Sequence, residues 1–127
     1  MARYNEPVNI LIVDDLATQR LTVEAALAEV GERIVSVNSG REALKFLLEN
    51  DAAVVLLDVN MPDMDGFETT RAIREHPEFR SLPIIAVTAK AMKGDREKCI
   101  EAGASDYLAK PVDPEELVAK LRDWLFR

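Results

Sequence analysis

Cysteine is nearly missing from this sequence. Cys99 is the only one, which excludes an intrachain disulfide and a cysteine-based metal cluster and fits a reducing, cytoplasmic setting. Histidine is equally scarce. His76 stands alone before Pro77, where it reads as a surface residue at a helix end and not as a phosphodonor carried by a helical bundle. With five glycines and none of them clustered, there is no glycine-rich loop to cradle a nucleotide. Positive charge is in deficit, 16 Lys and Arg against 23 Asp and Glu for a net charge of −7. That balance disfavours a nucleic-acid partner, which wants a basic face. The start, MARYNEPVN, has no apolar signal region, and no stretch approaches the length of a membrane span. No repeat, low-complexity tract or Gly/Ser/Pro linker divides the 127 residues, so one domain is expected over residues 9–127, with residues 1–8 as an extension.

What is present alternates. Short apolar runs at residues 10–13 (ILIV), 54–57 (VVLL) and 84–87 (IIAV) predict strands buried on both faces, as in a parallel sheet. Residues 34–37 and 107–109 are weaker runs suited to edge positions. Between them, helical spacing predicts helices over 18–30, 41–49, from 66 to the His76-Pro77 pair, over 92–102, and from Asp113 onward. Gly31 and Gly103 stand where helices would terminate. Asp113-Pro114-Glu115-Glu116 supplies a cap residue, a first-turn proline and an acid spaced for a capping box. Leu117, Leu121, Trp124 and Leu125 form that last helix's inward stripe. The fourth helix has few large apolar residues beyond Cys99 and Ile100, and Cys99 reads as a small packing residue. Five strands alternating with five helices predict a doubly wound α/β sheet in the flavodoxin-like order 2-1-3-4-5.

In such sheets ligands bind at the carboxyl ends of the strands, so the residue after each apolar run is the informative one. Val13 leads into Asp14-Asp15, Leu57 into Asp58, Val87 into Thr88-Ala89, and Ala109 into Lys110-Pro111. Taken singly, an Asp after a strand is a turn or cap residue, Lys110 a solvated lysine and Thr88 a strand end. Taken together they place three carboxylates, a hydroxyl and an ammonium at one spot. Clustered carboxylates repel unless a cation joins them or some protonate, and all-oxygen ligands favour a hard cation such as Mg²⁺. Lys110 suits a site that gains a phosphoryl group, with Thr88 donating to the same group and Ala89 leaving backbone N–H accessible. Asp58 then reads as the nucleophile that forms an aspartyl phosphate.

The stretches ILIVDD, LLDVNMPDMDG, VTA and SDYLAKP resemble, over nearly the whole chain, the response-regulator receiver domains, CheY-like phosphoacceptors of two-component signalling. The resemblance implies phosphorylation at Asp58, with Lys110 as the partner lysine. It also implies Mg²⁺ held by Asp14, Asp15, Asp58 and the backbone carbonyl of Asn60. Thr88 and Tyr107 resemble the switch pair, and Lys110-Pro111 a peptide that is cis in the family. Asn60 and Lys90 occupy positions that in the family tune phosphoryl lifetime, and Leu16 stands where a polar residue is more common. The closing stretch is similar to single-domain regulators and hybrid-kinase receivers, with no room for a DNA-binding output domain.

The implied partners are a histidine kinase or histidine phosphotransfer protein and a downstream protein target. That target would be bound through the fourth-helix, fifth-strand, fifth-helix face. The chain would be a monomer or a phosphorylation-dependent dimer, and an autocatalytic phosphoacceptor without a separate substrate. Two other readings stay in view. A phosphatase of the haloacid-dehalogenase type would use a similar constellation but would want a second Asp where Asn60 stands, and a substrate cap. A pseudo-receiver that only binds partners would be expected to have lost Asp58, Lys110 or an acid.

Overall fold

The computed structural model describes residues 7–89 and 94–126. Five parallel strands form one sheet: β1 (Asn9–Val13), β2 (Arg33–Val37), β3 (Val54–Asp58), β4 (Ile84–Thr88) and β5 (Asp106–Ala109). Their order is β2-β1-β3-β4-β5, the expected one, with the two weakest runs at the edges. The helices are α1 (Ala17–Leu27), α2 (Gly40–Glu49), α3 (Gly66–Arg74), α4 (Asp95–Ala102) and α5 (Pro114–Leu125).

The continuous apolar runs have a direct cause in this arrangement. Successive side chains of a strand point to opposite faces, and both faces here are covered. Ile10 and Ile12 pack with Leu56, Leu117 and Leu121 on the α1/α5 side. Leu11 and Val13 pack with Leu57, Ala43, Leu47 and Ile73 on the α2/α3 side. Register then levels the strand ends. Val13 lies opposite Leu57, Asp58 opposite Val87, and Thr88 opposite Ala109, so the polar residues that follow the runs emerge along one rim.

Helix ends depart from expectation in instructive ways. The first helix stops as an α-helix at Leu27, and residues Ala28–Val30 tighten into a 3-10 turn before Gly31 at φ 85. At α5, Asp113 caps the backbone N–H of Glu115, whereas the complete capping box joins Asp65 and Glu68 at α3. The expected start of the fourth helix at Met92, the position Lys90, and most of the expected extension over 1–8 lie outside the described residues. Val8, inside that stretch, is already tied to the sheet, its carbonyl accepting from Arg33 N at 2.9 Å. Cys99 is buried, as a packing residue should be, while Ile100 is exposed. No helix among the described residues is long and apolar enough to cross a membrane.

Arg74 closes α3 against its neighbours. Its guanidinium donates to the carbonyls of Gly103 and Phe79 and to Ser105 Oγ, which fixes the carboxyl end of α4 to the body of the protein. Among the described residues the amino end of α4 has no side-chain cap; its cap position is Gly94 at φ 105.

The approach of α3 to the rim rests on Gly66. A Cβ added there would stand 2.6 Å from both Asp58 O and Val59 Cα, and neither backbone atom can yield without moving the end of β3. Gly66→Ala is therefore expected to destabilise the protein by about 2 kcal/mol or more through overpacking. Urea unfolding of the two proteins measures this; an unchanged midpoint would show that the helix can back away.

Candidate functional site

Each strand delivers its polar residue to the rim through the ladder that holds it. The N–H of Asp14 donates to Val37 O, that of Val59 to Val87 O, and that of Lys110 to Thr88 O. Asp58, the last residue of β3, is 2% exposed, and Asp14 and Thr88 are also buried. Carboxylate oxygens of Asp14, Asp15 and Asp58 all lie within 4.8 Å of one another. Lys110 reaches across from the end of β5 and places Nζ 2.7 Å from Asp58 Oδ1. The backbone N–H of Asn60 donates to that same oxygen at 3.1 Å. Oδ2 of Asp58 and Oδ1 of Asp15 are buried and have no hydrogen-bond partner among the described residues. One oxygen of Asp58 is thus clamped and the other left open.

Burial is the main force on Asp14, pushing its carboxyl above the usual range. The Leu16 N–H, 2.9 Å from its Oδ1, opposes that; Asp58 and Asp15 add repulsion and Lys110 attraction. Asp106 on β5 is held the other way. Its burial alone would raise its pKa, but Lys120, the Trp124 ring N–H and the Tyr107 N–H together hold it below the usual carboxylate range.

The sequence-predicted residues do not all gather at one place. Asp14, Asp15, Asp58 and Lys110 do. Asn60 and Ala89 meet beside them in a way the sequence did not suggest. Ala89 N–H, expected to be accessible, donates to the side-chain Oδ1 of Asn60 at 3.3 Å. Tyr107 sits apart, packed with Val59, Ala86, Cys99 and Ala104, with Lys120 Nζ 5.9 Å from its ring centroid. The Lys110–Pro111 peptide is cis. Leu16 is 49% exposed at the rim, an apolar residue facing solvent. Sequence reasoning missed Gln19, whose buried Oε1 also lacks a partner among the described residues. Its one available signal was its spacing, four residues after Asp15, which brings a helical side chain back over the preceding turn.

Comparison with known proteins agrees with this geometry. The family model described as "Response regulator receiver domain" matches residues 10–122. A curated relative, the transcriptional regulatory protein GltR of Pseudomonas aeruginosa, is 40% identical over 119 residues, 94% of this chain and 49% of its own length. The histidine-protein kinase BarA of Shigella flexneri is 37% identical over 87% of this chain, which corresponds to 12% of that protein. The chain spans about half the length, or less, of these relatives. Among solved structures, a response regulator from Chloroflexus aurantiacus superimposes with a TM-score of 0.91 at 37% identity, covering 96% of this chain and 100% of that one. The receiver domain of a Pseudomonas aeruginosa sensor histidine kinase, solved with a magnesium ion coordinated in its active site cleft, gives 0.87 at 38% identity over 95% and 99%.

The raised pKa of Asp14 carries a sign. Ionising this group disfavours the folded state, so its contribution to metal-free stability is fullest below the ordinary Asp value of about 4 and declines as pH rises through its folded pKa. Asp106 runs the opposite way, its contribution lost as pH falls, so the informative quantity is the difference between two proteins. Asp14→Asn is expected to be more stable than the parent by about 1 kcal/mol at neutral pH without metal, with the gap closing toward pH 3. Urea melts across pH check this; a gap that does not vary with pH would rule out the ionisation of buried Asp14 as its cause.

Proposed function

Because the chain belongs to the response-regulator receiver domain family of two-component signal transduction, we propose that it accepts a phosphoryl group on Asp58 in a Mg²⁺-dependent reaction. The donor is a phosphohistidine on a histidine kinase or a histidine phosphotransfer protein. The observation that carries this reading is the state of the Asp58 carboxylate. It is buried at the end of the central strand, clamped by Lys110 and the Asn60 N–H through one oxygen, and open at the other.

The site fits the metal. Asp15 Oδ1 and Asp58 Oδ2 are buried acceptors without partners among the described residues, and the donor set is entirely oxygen, as a hard cation prefers. Asp14, Asp15, Asp58 and the backbone carbonyl of Asn60 are the residues that would hold it. When bound, Mg²⁺ supplies positive charge that offsets the carboxylates and draws electron density from the phosphoryl oxygens.

This chain's own residues do the rest. A carboxylate oxygen of Asp58 attacks phosphorus in line with the departing imidazole. The new P–O bond forms as the P–N bond breaks; the P–N electron pair stays on the imidazole nitrogen, which takes up a proton from water. Lys110 turns from Asp58 Oδ1 to an oxygen of the incoming group. The Thr88 hydroxyl and the Ala89 N–H donate to the others, and Ala89 must first exchange its bond to Asn60 for one to the phosphoryl. Hydrolysis of the acyl phosphate by water resets the site. These movements pull on the end of β4, and Tyr107 follows Thr88, shifting the α4-β5-α5 face toward the form that a downstream protein binds. The unevenly anchored α4 supports that part of the reading.

Incubation with acetyl phosphate and Mg²⁺, followed by intact-mass measurement, tests the proposal. One added phosphoryl group is expected, absent when the metal is chelated and absent in Asp58→Asn. Lys110→Ala is expected to slow acquisition by more than tenfold, because the developing charge loses its cation. A label that persists in Asp58→Asn would place the chemistry elsewhere. A parent protein that takes neither the phosphoryl group nor beryllofluoride would favour a module that only binds partners.

A further inference from the structure

Beside the acidic cluster, under the first turns of α1 and the turn from β5 to α5, lies a cavity of ≈ 280 Å³. Its walls are mostly apolar, with Val23, Leu56, Val112 and Leu117 among them, and Asp58, Gln19 and Lys110 reach its edge. A volume near the small end for ligand pockets suits a fragment-sized molecule.

The chemistry of the edge selects that molecule. The buried side-chain atoms without partners among the described residues are Asp15 Oδ1, Gln19 Oε1 and Asp58 Oδ2, and all three are acceptors. Asp58 and Gln19 line the cavity itself, and Asp58 is 2% exposed. The cation already present, Lys110, is committed to the other oxygen of Asp58. The Thr22 hydroxyl is turned away to Thr18 O. What is left calls for a positively charged donor with an apolar body. A hydrated divalent cation answers only half of this. It would satisfy Asp15 and Asp58, but it gains nothing from apolar walls and leaves them as they are.

We propose that this cavity binds small amphiphilic organic cations, an aryl or alkyl amidinium or ammonium. The head donates to Asp58 Oδ2 and the Gln19 carboxamide oxygen, and the apolar body lies against Val23, Val112 and Leu117. Such a ligand occupies the open oxygen of the carboxylate, so it competes with a divalent cation there. Binding itself requires no phosphoryl chemistry. The expected block of phosphorylation rests on the function proposed above.

The test is a titration of the full chain, metal-free, with benzamidine, followed by methyl and amide NMR. Benzamide and guanidinium serve as probes that lack the charge and the apolar body respectively. Saturable shifts of the Val23, Val112 and Leu117 methyls in the millimolar range are expected, with both control probes at least tenfold weaker. Gln19→Leu should weaken benzamidine severalfold while the dispersion of the spectrum shows the fold intact, and added Mg²⁺ should raise the apparent Kd. Guanidinium binding as well as benzamidine would mean charge alone and overturn the proposal. So would shifts confined to rim amides, or no saturation at all. A protein that takes benzamidine but no phosphoryl group keeps this inference and loses the previous one; the reverse pattern does the reverse.

Discussion

Like charges brought together at the end of a sheet are the constraint on which the rest of this molecule depends. Two carboxylate oxygens within 4.8 Å of one another repel by about 3 kcal/mol or more if both groups are ionised at an effective dielectric constant of about 20. A third raises the cost again. Among the described residues the cation paired with these carboxylates is Lys110, which approaches from a different strand and touches only one oxygen of Asp58. Repulsion and attraction therefore do not cancel atom by atom. Burial first and this repulsion second raise the pKa of Asp14, and Asp15 Oδ1 and Asp58 Oδ2 are buried acceptors without partners among the described residues.

A protein can keep such a cluster only if the remainder of the fold supplies the stability, and here the two functions are physically separate. Both faces of the central strands are sealed by apolar contacts along their length, and polar chemistry begins only where the strands end. The close approach at Gly66 brings the capped start of α3 against that end of β3, so the open carboxylate stands on rigid backbone. On the far side, Arg74 at the end of α3 holds the carboxyl end of α4 through the Gly103 carbonyl and also donates to Phe79 O and Ser105 Oγ, while the amino end of α4 has no side-chain cap among the described residues. Most of the described side chains of α4 are exposed, and an element with few buried apolar contacts is the kind that opens at low free energy.

How much of this was legible in the sequence follows from the range of the interactions involved. The strands were, because burial on both faces leaves a local signature, an unbroken run such as ILIV or VVLL. The edge positions were too, because half-covered strands lose that signature. The rim residues could be read off as whatever follows each run. Helix ends were less so: an Asp at the cap can satisfy either of two neighbouring N–H groups, and the spacing at Asp113 does not choose between them. Least legible were contacts made across the fold. Asn60 and Ala89 are 29 residues apart in the chain, and nothing in either segment foretells that the carboxamide of one will hold the N–H of the other. Gln19 is similar, an ordinary polar residue on a helix until a cavity forms beneath it.

That cross-chain bond alters how the rim can be understood. In the state described here the donors that suit an anion are already engaged, Lys110 with Asp58 and the Ala89 N–H with Asn60, while the unengaged atoms are acceptors. The resting site is thus complementary to cations. It would become complementary to an anion by the exchange of partners proposed for Lys110 and Ala89, and each exchange would leave an oxygen of Asp58 or Asn60 in want of a new one. A cation arriving at those oxygens lowers the cost of releasing the donors. Under the proposed function, cation and anion binding at this rim would be coupled through shared hydrogen-bonding atoms, each favouring the other. A ligand that delivers positive charge but covers the open oxygen of Asp58 would satisfy the first half of that exchange and prevent the second.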